Sequence, residues 1–329
     1  MVYWCYENRS SEIDQWTPYC RIETEIIEDA FQSKQEKVEL DRFFIDLRLY
    51  IQIDKSDESK QTNIQRSTVI QRTRTRRLRA DRFGLTEPLR NRTFANNDNQ
   101  GNFRGFAWEW FENRAQANQL TLTEILAQAA QGILVEGNLC GESIKVKKMS
   151  EKLLDIRDED KHLITQYCLQ FYTADTFLYK LVNTTLRDSD RTKFDTLGPY
   201  CYLLKYIALL NLYPTHVYEQ IVYRGAQLDE EDIDQYRNAV NDPQLKQWLA
   251  FTSTTKNLEV AECFRGNTLF VIQLPINRYS FGMDISSYSI FSDEEEVLLP
   301  MQICFKVENV EFNDEKSQTV IYLNMDLVP

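Results

Sequence analysis

The sequence predicts an α+β protein in which two structural units follow one another. Three observations lead to this prediction. Residues 1–72 are dense in aromatic and β-branched residues around one helical run, residues 106–212 keep helical spacing, and short apolar runs of strand type follow residue 220. A block of helices followed by a block of strands is typical of an α+β domain and not of a doubly wound sheet.

The first unit is predicted to be two or three strands around one helix. The run from Glu23 to Gln35 places four apolar side chains at helical spacing, namely Ile26, Ile27, Ala30 and Phe31. Residues 43–47 and 49–53 have the composition of strands. The polar run 54–61 is predicted to be a turn.

Composition changes between the two units. Residues 72–79 form the basic run RTRTRRLR, and residues 88–105 are rich in Asn, Gly and Arg with few aliphatic residues. We therefore expect an N-terminal domain over 1–80, a linker over 81–105 and a second domain over 106–329. The basic stretch 72–82 is either a solvated strand end and linker or a nuclear signal or polyanion contact.

The second domain is predicted to begin with helices. Apolar residues recur at helical spacing in three stretches, which are 123–135, 162–186 and 200–212. The third stretch is almost wholly apolar, which predicts a buried helix.

Strand-type runs occupy the rest of the chain, at 220–225, 249–255, 268–274 and 297–307. Pro300 in the fourth run predicts an edge strand or a bulge. A final run alternates, with Ile321, Leu323, Met325 and Leu327 on one face and Tyr322, Asn324 and Asp326 on the other.

Charge and the length of apolar runs each exclude one class of partner. The net charge is −12, and residues 1–92 carry 17 Lys/Arg and 16 Asp/Glu while the remainder carries 21 and 34. A surface of that sign repels nucleic acid phosphates, so a nucleic acid partner is not expected and a basic partner is. No apolar run reaches the ~20 residues that a membrane-spanning helix needs, so we expect no membrane contact.

Cysteine and histidine usage predicts a reduced compartment and no metal. The seven cysteines are scattered without a CxxC pair, and the chain start lacks the basic-then-apolar pattern of a secretory signal. We expect an intracellular protein, cytoplasmic, nuclear or both, with reduced thiols. His162 and His216 are the only histidines, which weakens a zinc or Ser-His-Asp interpretation.

Three motifs in the strand block stand out together. They are Val222-Tyr223-Arg224-Gly225, Phe251-Thr252-Ser253-Thr254-Thr255 and Glu294-Glu295-Glu296-Val297-Leu298-Leu299-Pro300. Each alone is a weak signal, since a strand-end arginine or an acidic triplet is usually a solvated charge. The third motif is unusual because acidic residues run directly into an apolar strand, where a carboxylate can be positioned and tuned.

In this order the motifs resemble the arginine–serine–glutamate signature of the mono-ADP-ribosyltransferases related to vertebrate ecto-enzymes and clostridial-type toxins. The resemblance covers roughly residues 155–310. It includes a helical lead-in, in which residues 170–173 (QFYT) and 181–187 (LVNTTLR) look like the "YT … N-x-x-LR" segment of that family. It implies a mono-ADP-ribosyltransferase fold, with helices leading into a mixed β-sandwich core.

The resemblance implies NAD (or NADP) as the substrate nucleotide and cleavage of its bond to nicotinamide. The sugar becomes oxocarbenium-like, as in glycoside hydrolysis. Glu296 is implied to stabilise that charge and to bind the nicotinamide-ribose hydroxyl, and Arg224 to hold the pyrophosphate. Gly225 is implied to let the backbone approach the nicotinamide amide, and Ser253 to orient Glu296.

Two further positions belong to the implied nucleotide site. Thr255 is implied to support the strand of Ser253. Phe264 either stacks on nicotinamide or packs in the core.

The E-x-E form of the third motif implies arginine as the acceptor. In extended backbone, residues i and i+2 point the same way, so Glu294 and Glu296 can face one cleft while Glu295 points away. Glu294 could then pair with a guanidinium and help to withdraw its proton. In the preceding loop, Tyr288 or Phe291 is either an exposed recognition aromatic or a core residue.

The first unit resembles a WWE domain, a half-wrapped β-sheet around one helix. The resemblance is carried by residues 4–7 (WCYE), 16–19 (WTPY), 26–31 (IIEDAF), 43–52 and 69–72 (VIQR). Several WWE domains read the iso-ADP-ribose unit of poly(ADP-ribose). Tyr6, Trp16 and Gln52 match positions that line that ligand pocket.

Other WWE positions depart from the ligand-binding pattern. Phe43 stands where binding members can have a tyrosine. Thr68 stands where an arginine is expected, unless Arg66 takes that role after a register shift. A reader of ADP-ribose and a protein–protein module therefore both stay open.

Together these features predict an intracellular NAD-dependent mono-ADP-ribosyltransferase that modifies protein arginines and carries a WWE-type targeting module. Arg224, Ser253, Glu294 and Glu296 are the predicted catalytic residues, and no metal is required. The alternatives are an NAD glycohydrolase and a non-catalytic scaffold that binds ADP-ribose or protein. The implied partners are a protein with an exposed arginine and, through the WWE-like unit, poly(ADP-ribose) or a ubiquitin-pathway protein.

Overall fold

The computed structural model describes most of the chain in several ranges. They are residues 2–8, 16–68, 94–96, 105–157, 160–174, 176–209, 220–263, 266–275, 282–289 and 294–325. Several predicted features lie outside the described residues, namely the run 69–72, the basic stretch 72–82, most of the linker, His216, Phe264, Phe291, Asp326 and Leu327.

In the described part of the N-terminal unit, six strands form one antiparallel sheet with a helix beside it. The strands are β1 (Tyr3–Glu7), β2 (Trp16–Pro18), β3 (Lys37–Glu39), β4 (Phe43–Asp46), β5 (Ile51–Asp54) and β6 (Asp57–Ser67), and the helix is α1 (Arg21–Gln32). The order in the sheet is β2-β1-β6-β5-β4-β3. The sheet-plus-helix prediction is confirmed, although it found too few strands.

The α1 helix begins where its capping residues dictate. Cys20 and Glu23 form a reciprocal capping box, and the helix buries Ile22, Ile27 and Ala30. Trp4 of β1 is fully buried in the core of this unit.

The polar turn predicted over residues 54–61 is wrong in extent. Only Lys55 and Ser56 form the turn, and β6 begins at Asp57. The Asp54 carboxylate accepts bonds from the amide and hydroxyl of Ser56, which closes a tight hairpin. The start of β6 is polar because its side chains are mostly exposed.

A helical block follows, as the spacing predicts. Its members are α2 (Phe106–Trp110), which continues as a π-helix (Phe111–Gln116), α3 (Leu122–Leu139), α4 (Ser143–Leu154), α5 (Lys161–Thr173), α6 (Phe177–Asp188), a short 3₁₀ turn (Arg191–Lys193) and α7 (Phe194–Tyr202), which continues as a π-helix (Leu203–Leu209).

Two helix predictions need correction. The stretch 162–186 is two helices, because Ala174 leaves helical geometry and Thr176 caps the start of α6 through its hydroxyl. The stretch 200–212 is not one α-helix, since α7 passes into a π-helix at Leu203 and the described residues end at Leu209.

The strand block forms a second, mixed sheet of nine strands within the described residues. Its order is β12-β13-β10-β8-β11-β15-β14-β9-β7. The strands are β7 (Ala95–Asn96), β8 (Gln220–Ala226), β9 (Lys246–Trp248), β10 (Thr252–Thr255), β11 (Thr268–Leu274), β12 (Met283–Asp284), β13 (Glu296–Leu299), β14 (Ile303–Asn313) and β15 (Gln318–Asn324); two helices, α8 (Glu230–Ala239) and α9 (Leu258–Cys263), lie between strands.

Two strand predictions differ from the structure. The run 297–307 is two strands, β13 and β14, which lie apart in the sheet because the chain turns at residues 300–302. Within the predicted linker, Ala95–Asn96 pair with β9 as an edge strand. The alternation predicted for residues 321–325 is confirmed by burial.

The second sheet separates two apolar cores. The larger core contains the helical block, and Ile22 of the N-terminal unit packs into it. The smaller core lies between α8 and the sheet and includes Tyr236, Trp248 and Phe270. Among the helices described here, none is both long and apolar enough to cross a membrane.

Candidate active site

The three predicted motifs lie on neighbouring strands. β8 carries Arg224 and Gly225, β10 carries Ser253 and Thr255, and β13 begins at Glu296. Because the strand order is β13-β10-β8, motifs that are distant in sequence are adjacent in the sheet.

The register of these strands decides which side chains share a face. Thr255 pairs with Glu296 on one side and with Tyr223 on the other. Directly paired residues share a face, and successive strand residues alternate. Arg224 therefore points to the face opposite Glu296, where its strand partner is Phe270 of the smaller core.

Two carboxylates are buried where β13 begins. Glu294 is 2% exposed and Glu296 is 0% exposed, whereas Glu295 between them is exposed, as the sequence predicts. The predicted reason was extended backbone, and the structure differs there, because β13 starts only at Glu296 and Glu295 is left-handed with a φ of 45°. A local turn, not a strand, leaves both neighbours of Glu295 inside.

The end of β10 holds the backbone that carries these carboxylates. The buried Thr255 hydroxyl donates to the Glu294 carbonyl at 2.6 Å and accepts the Asn257 amide at 3.0 Å. The Lys256 amide donates to the Glu295 carbonyl at 3.2 Å. Thr255 thus contacts the acidic motif itself.

A side-chain ion pair closes the other side of this segment. Lys256 Nζ lies 2.6 Å from Asp284 Oδ2 of β12. Burial alone would raise the pKa of Asp284, but hydrogen bonds from Lys256 and Ser286 lower it overall. The Ile285 amide then donates to the Glu296 carbonyl at 2.9 Å, so Glu296 is held from both neighbouring strands.

Arg224 is tied to β10 through the main chain. Its Nη1 donates to the Ser253 carbonyl at 2.8 Å, and Ser253 is 5% exposed. Burial lowers the pKa of Arg224 to about 10, and nearby Arg187 acts in the same direction. The guanidinium therefore stays protonated at neutral pH and can bind an anion.

Sequence reasoning missed Arg187 as a site residue. Arg187 and Arg224 line one pocket of about 70 Å³ with Tyr236, Trp248, Phe270 and residues 249–252. Its described lining contains two guanidiniums and no carboxylate, which suits a phosphate. The signal was present in the LR of residues 181–187, which entered the resemblance without a role.

The α5–α6 pair forms the wall beside that pocket. The Asn183 Nδ2 donates to the buried Tyr172 hydroxyl at 2.9 Å, and the Tyr172 ring meets Phe251 edge-on at 5.6 Å. The predicted lead-in segments are therefore in contact with each other and with the start of the Ser253 motif.

The remaining predicted positions are only partly visible. Gly225 is buried, and Tyr288 is half-buried against the larger core. Phe264 and Phe291 lie outside the described residues, so their interpretations stay predictions. No cluster of three or more His, Cys, Asp or Glu suited to a metal occurs in the ranges that the structure describes.

The WWE-like positions are also brought together in part. The Tyr19 hydroxyl donates to the Gln52 Oε1 at 2.7 Å, and the rings of Tyr6 and Tyr19 meet at 5.2 Å. Trp16 is half-buried on β2, opposite Glu7 of β1.

Arg66, the substitute for the expected phosphate-binding arginine, is engaged elsewhere. Its guanidinium makes two bonds to the Glu28 carboxylate, at 2.9 and 2.7 Å. The Trp4 indole also donates to Glu28 at 2.9 Å. Hydrogen bonds from Arg66, the largest of several effects, lower the pKa of Glu28 to about 2.

Comparison with known families tests the two resemblances. A family model described as NAD:arginine ADP-ribosyltransferase matches residues 144–326, which is more than half of the chain. The chain belongs to the NAD:arginine ADP-ribosyltransferase family. A model of the WWE domain matches residues 2–66. Both resemblances found in the sequence are thereby confirmed.

Individual relatives match over shorter stretches. The chain is 35% identical over 107 residues to the Mycobacterium avium (strain 104) protein Mav, which is provisionally named as an NAD(+)–arginine ADP-ribosyltransferase. That match covers 32% of this chain and only 12% of Mav.

Two solved structures are similar to this ADP-ribosyltransferase. The ADP-ribosyltransferase HopU1 of Pseudomonas syringae pv. Tomato DC3000 is 27% identical, with a TM-score of 0.38 over 45% of this chain and 65% of HopU1. The type III effector XopAI of Xanthomonas axonopodis pv. citri is 16% identical, with a TM-score of 0.46 over 70% of this chain and 94% of the effector.

Proposed function

We propose that this ADP-ribosyltransferase transfers a single ADP-ribose from NAD to arginine side chains of proteins and releases nicotinamide. The observation that carries the proposal is the pair of buried carboxylates, Glu294 and Glu296, held at one point by the end of β10. The acidic charge of this part of the chain suits a cationic acceptor.

The residues divide the reaction between them. Arg224 leaves β8 on the face opposite Glu296, but its guanidinium reaches the Ser253 carbonyl of β10 and lines one pocket with Arg187. These two guanidiniums bind the pyrophosphate in this proposal, and the Gly225 backbone binds the nicotinamide amide. Glu296, oriented by Ser253, stabilises positive charge on the ribose as the bond to nicotinamide breaks and its electron pair leaves with nicotinamide. Fixed electrostatic groups of this kind are worth ~10²–10³ in rate.

Glu294 binds and deprotonates the arginine acceptor in this proposal. A guanidinium nitrogen of the target arginine forms the new bond to C1′ of the ribose and must lose a proton. A carboxylate two residues from Glu296 can pair with the guanidinium and take that proton. The neighbouring Thr255 hydroxyl supports this role because it fixes the Glu294 backbone.

The experiment is incubation of the purified full chain with labelled NAD and agmatine, an arginine analogue, with both free nicotinamide and labelled agmatine scored. Labelled agmatine, abolished in Glu296→Gln, supports the proposal. Nicotinamide without labelled agmatine favours an NAD glycohydrolase or another acceptor. Neither product, despite NAD binding, favours the non-catalytic scaffold.

For the WWE domain, we propose a protein-binding role in preference to reading ADP-ribose. The engagement of Arg66 by Glu28 supports this, because a phosphate ligand would have to break two charge-assisted bonds to recruit that guanidinium. This role is tested by titrating the Glu296→Gln variant with ADP-ribose and following tryptophan fluorescence. A response that is lost in Gln52→Ala would establish a reader instead.

A further inference from the structure

The WWE domain caps a helix of the transferase part. The α4 helix begins after Glu142, whose side chain makes no cap bond to it. Its first amides are instead bound by Asp41, which accepts from Ile144 at 2.7 Å and from Lys145 at 3.3 Å. A helix start that lacks its own cap is therefore completed by a residue more than a hundred positions earlier.

Lys145 lies at the centre of this contact. Its side chain is 13% exposed, and its Nζ is 3.4 Å from Glu142, 3.8 Å from Glu23 and 3.9 Å from Asp41. Burial alone would lower the pKa of Lys145, but the surrounding acidic groups raise it. One cation thus joins two carboxylates of the WWE domain to one carboxylate of the transferase part.

Glu142 links Lys145 to the start of a second helix, α6. Its Oε2 accepts the amide of Phe177, the first residue of α6, at 3.4 Å. Packing at the same place is tight, since a Cβ on Gly137 of α3 would lie 1.9 Å from Val146 and 2.9 Å from Phe177. The start of α6 is therefore fixed by α3, by α4 and by the Glu142 carboxylate.

The other end of α6 reaches the anion pocket. Arg187 stands ten residues after Phe177, or ~15 Å along a helix that rises 1.5 Å per residue. It lines the pocket with Arg224. A helix is stiff over that length, so a shift at its first turn is carried to the guanidinium at its last turn.

We propose that Lys145 is a positioning residue for the nucleotide pocket: held by Glu23 and Asp41 of the WWE domain, it fixes Glu142 on the first amide of α6, the helix that carries Arg187. The inference rests on the proposed function, because it assigns the pocket to the NAD pyrophosphate. It makes the WWE domain a structural part of the NAD site.

The chain offers a matched control on the same helix. Lys148 pairs with Asp29 of the WWE domain at 2.7 Å, so it bridges the same two units. Its described ion pair involves neither Glu142 nor α6. Lys145→Met and Lys148→Met therefore each remove one bridge between the units, and only the first releases Glu142.

The test measures the dissociation constant for NAD and the kinetic constants of the full chain in both variants. We expect Lys145→Met to weaken NAD binding at least fivefold with kcat within twofold, and Lys148→Met to change both by less than twofold. Lys145→Arg, which keeps the charge, is expected to restore binding. If Lys145→Met does not fold, Glu142→Ala, which removes the acceptor of the Phe177 amide, takes its place in the comparison with the same expected loss.

Equal NAD affinities in the Lys145 (or Glu142) and Lys148 variants would overturn the inference and leave the proposed function intact. So would a loss confined to kcat. Wild-type protein that binds no NAD would contradict the proposed function, and the inference would fall with it.

Discussion

Removing the buried hydroxyl of Thr255 should lower arginine transfer by more than the loss of folding stability explains. The Thr255 hydroxyl donates to the Glu294 carbonyl and accepts the Asn257 amide, and the side chain is 0% exposed. Thr255→Val keeps the shape of the side chain and deletes both bonds. Each bond is worth ~0.5–1.5 kcal/mol, so the change costs about 2 kcal/mol in the segment that carries Glu294.

That cost converts to a rate. If these ~2 kcal/mol are lost from the interaction of Glu294 with the transition state, the rate of agmatine labelling falls ~30-fold. Nicotinamide release should fall less, because Glu296 is also held by the pairing of β10 with β13 and by the Ile285 amide. The assay scores both products from labelled NAD in parallel with a thermal unfolding curve.

Thr254→Val is the matched control for this prediction. Thr254 is also 0% exposed, and its hydroxyl donates to the Val297 carbonyl at 2.7 Å, away from Glu294. Because this variant deletes one described bond instead of two, we expect it to lose about 1 kcal/mol of stability, with agmatine labelling within threefold of wild type. Equal losses of labelling in the two variants would refute the idea that Thr255 acts through Glu294.

Three further outcomes follow from the site and from the WWE domain. Glu296→Gln should lower nicotinamide release by ~10²–10³ without unfolding the protein, as checked by circular dichroism. Arg187→Met should raise the KM for NAD by ~10-fold or more at nearly constant kcat, since a charge-assisted bond is worth ~1.5–3 kcal/mol; an unchanged KM would remove Arg187 from the pocket. Glu28 has a pKa lowered to about 2, so its stabilising effect is present above the ordinary range near 4.5 and is lost as the pH falls towards 2. Because the pair with Arg66 is partly exposed, we expect acid unfolding to show only ~1 kcal/mol more loss over that window in wild type than in Glu28→Gln.

Much of the fold could be predicted from the sequence because periodicity and capping are local. The α1 helix, the largely apolar β11 strand and the alternation of β15 all follow from residue patterns within a few positions. The misplaced boundaries have two separate causes. Strand β6 is polar because its side chains are mostly exposed, and the break between α5 and α6 depends on a single threonine cap.

The candidate site, too, could be predicted only in part from the sequence. Motif order alone brought Arg224, Ser253 and Glu296 together as a hypothesis, and strand order places their strands side by side. The left-handed Glu295 and the position of Arg224 on the opposite face could not be predicted, because they depend on register and on a local turn. The bridge from Asp41 to α4 joins residues that no short pattern relates.

The most direct test of the proposed arginine transfer is the product ratio of Glu294→Gln, measured with labelled NAD and agmatine beside wild type. Glu294 is buried beside Glu296, and the substitution keeps its size while removing its charge. We predict that wild type labels agmatine, whereas the variant still releases nicotinamide and labels almost none. Agmatine labelling at the wild-type rate in Glu294→Gln would contradict it.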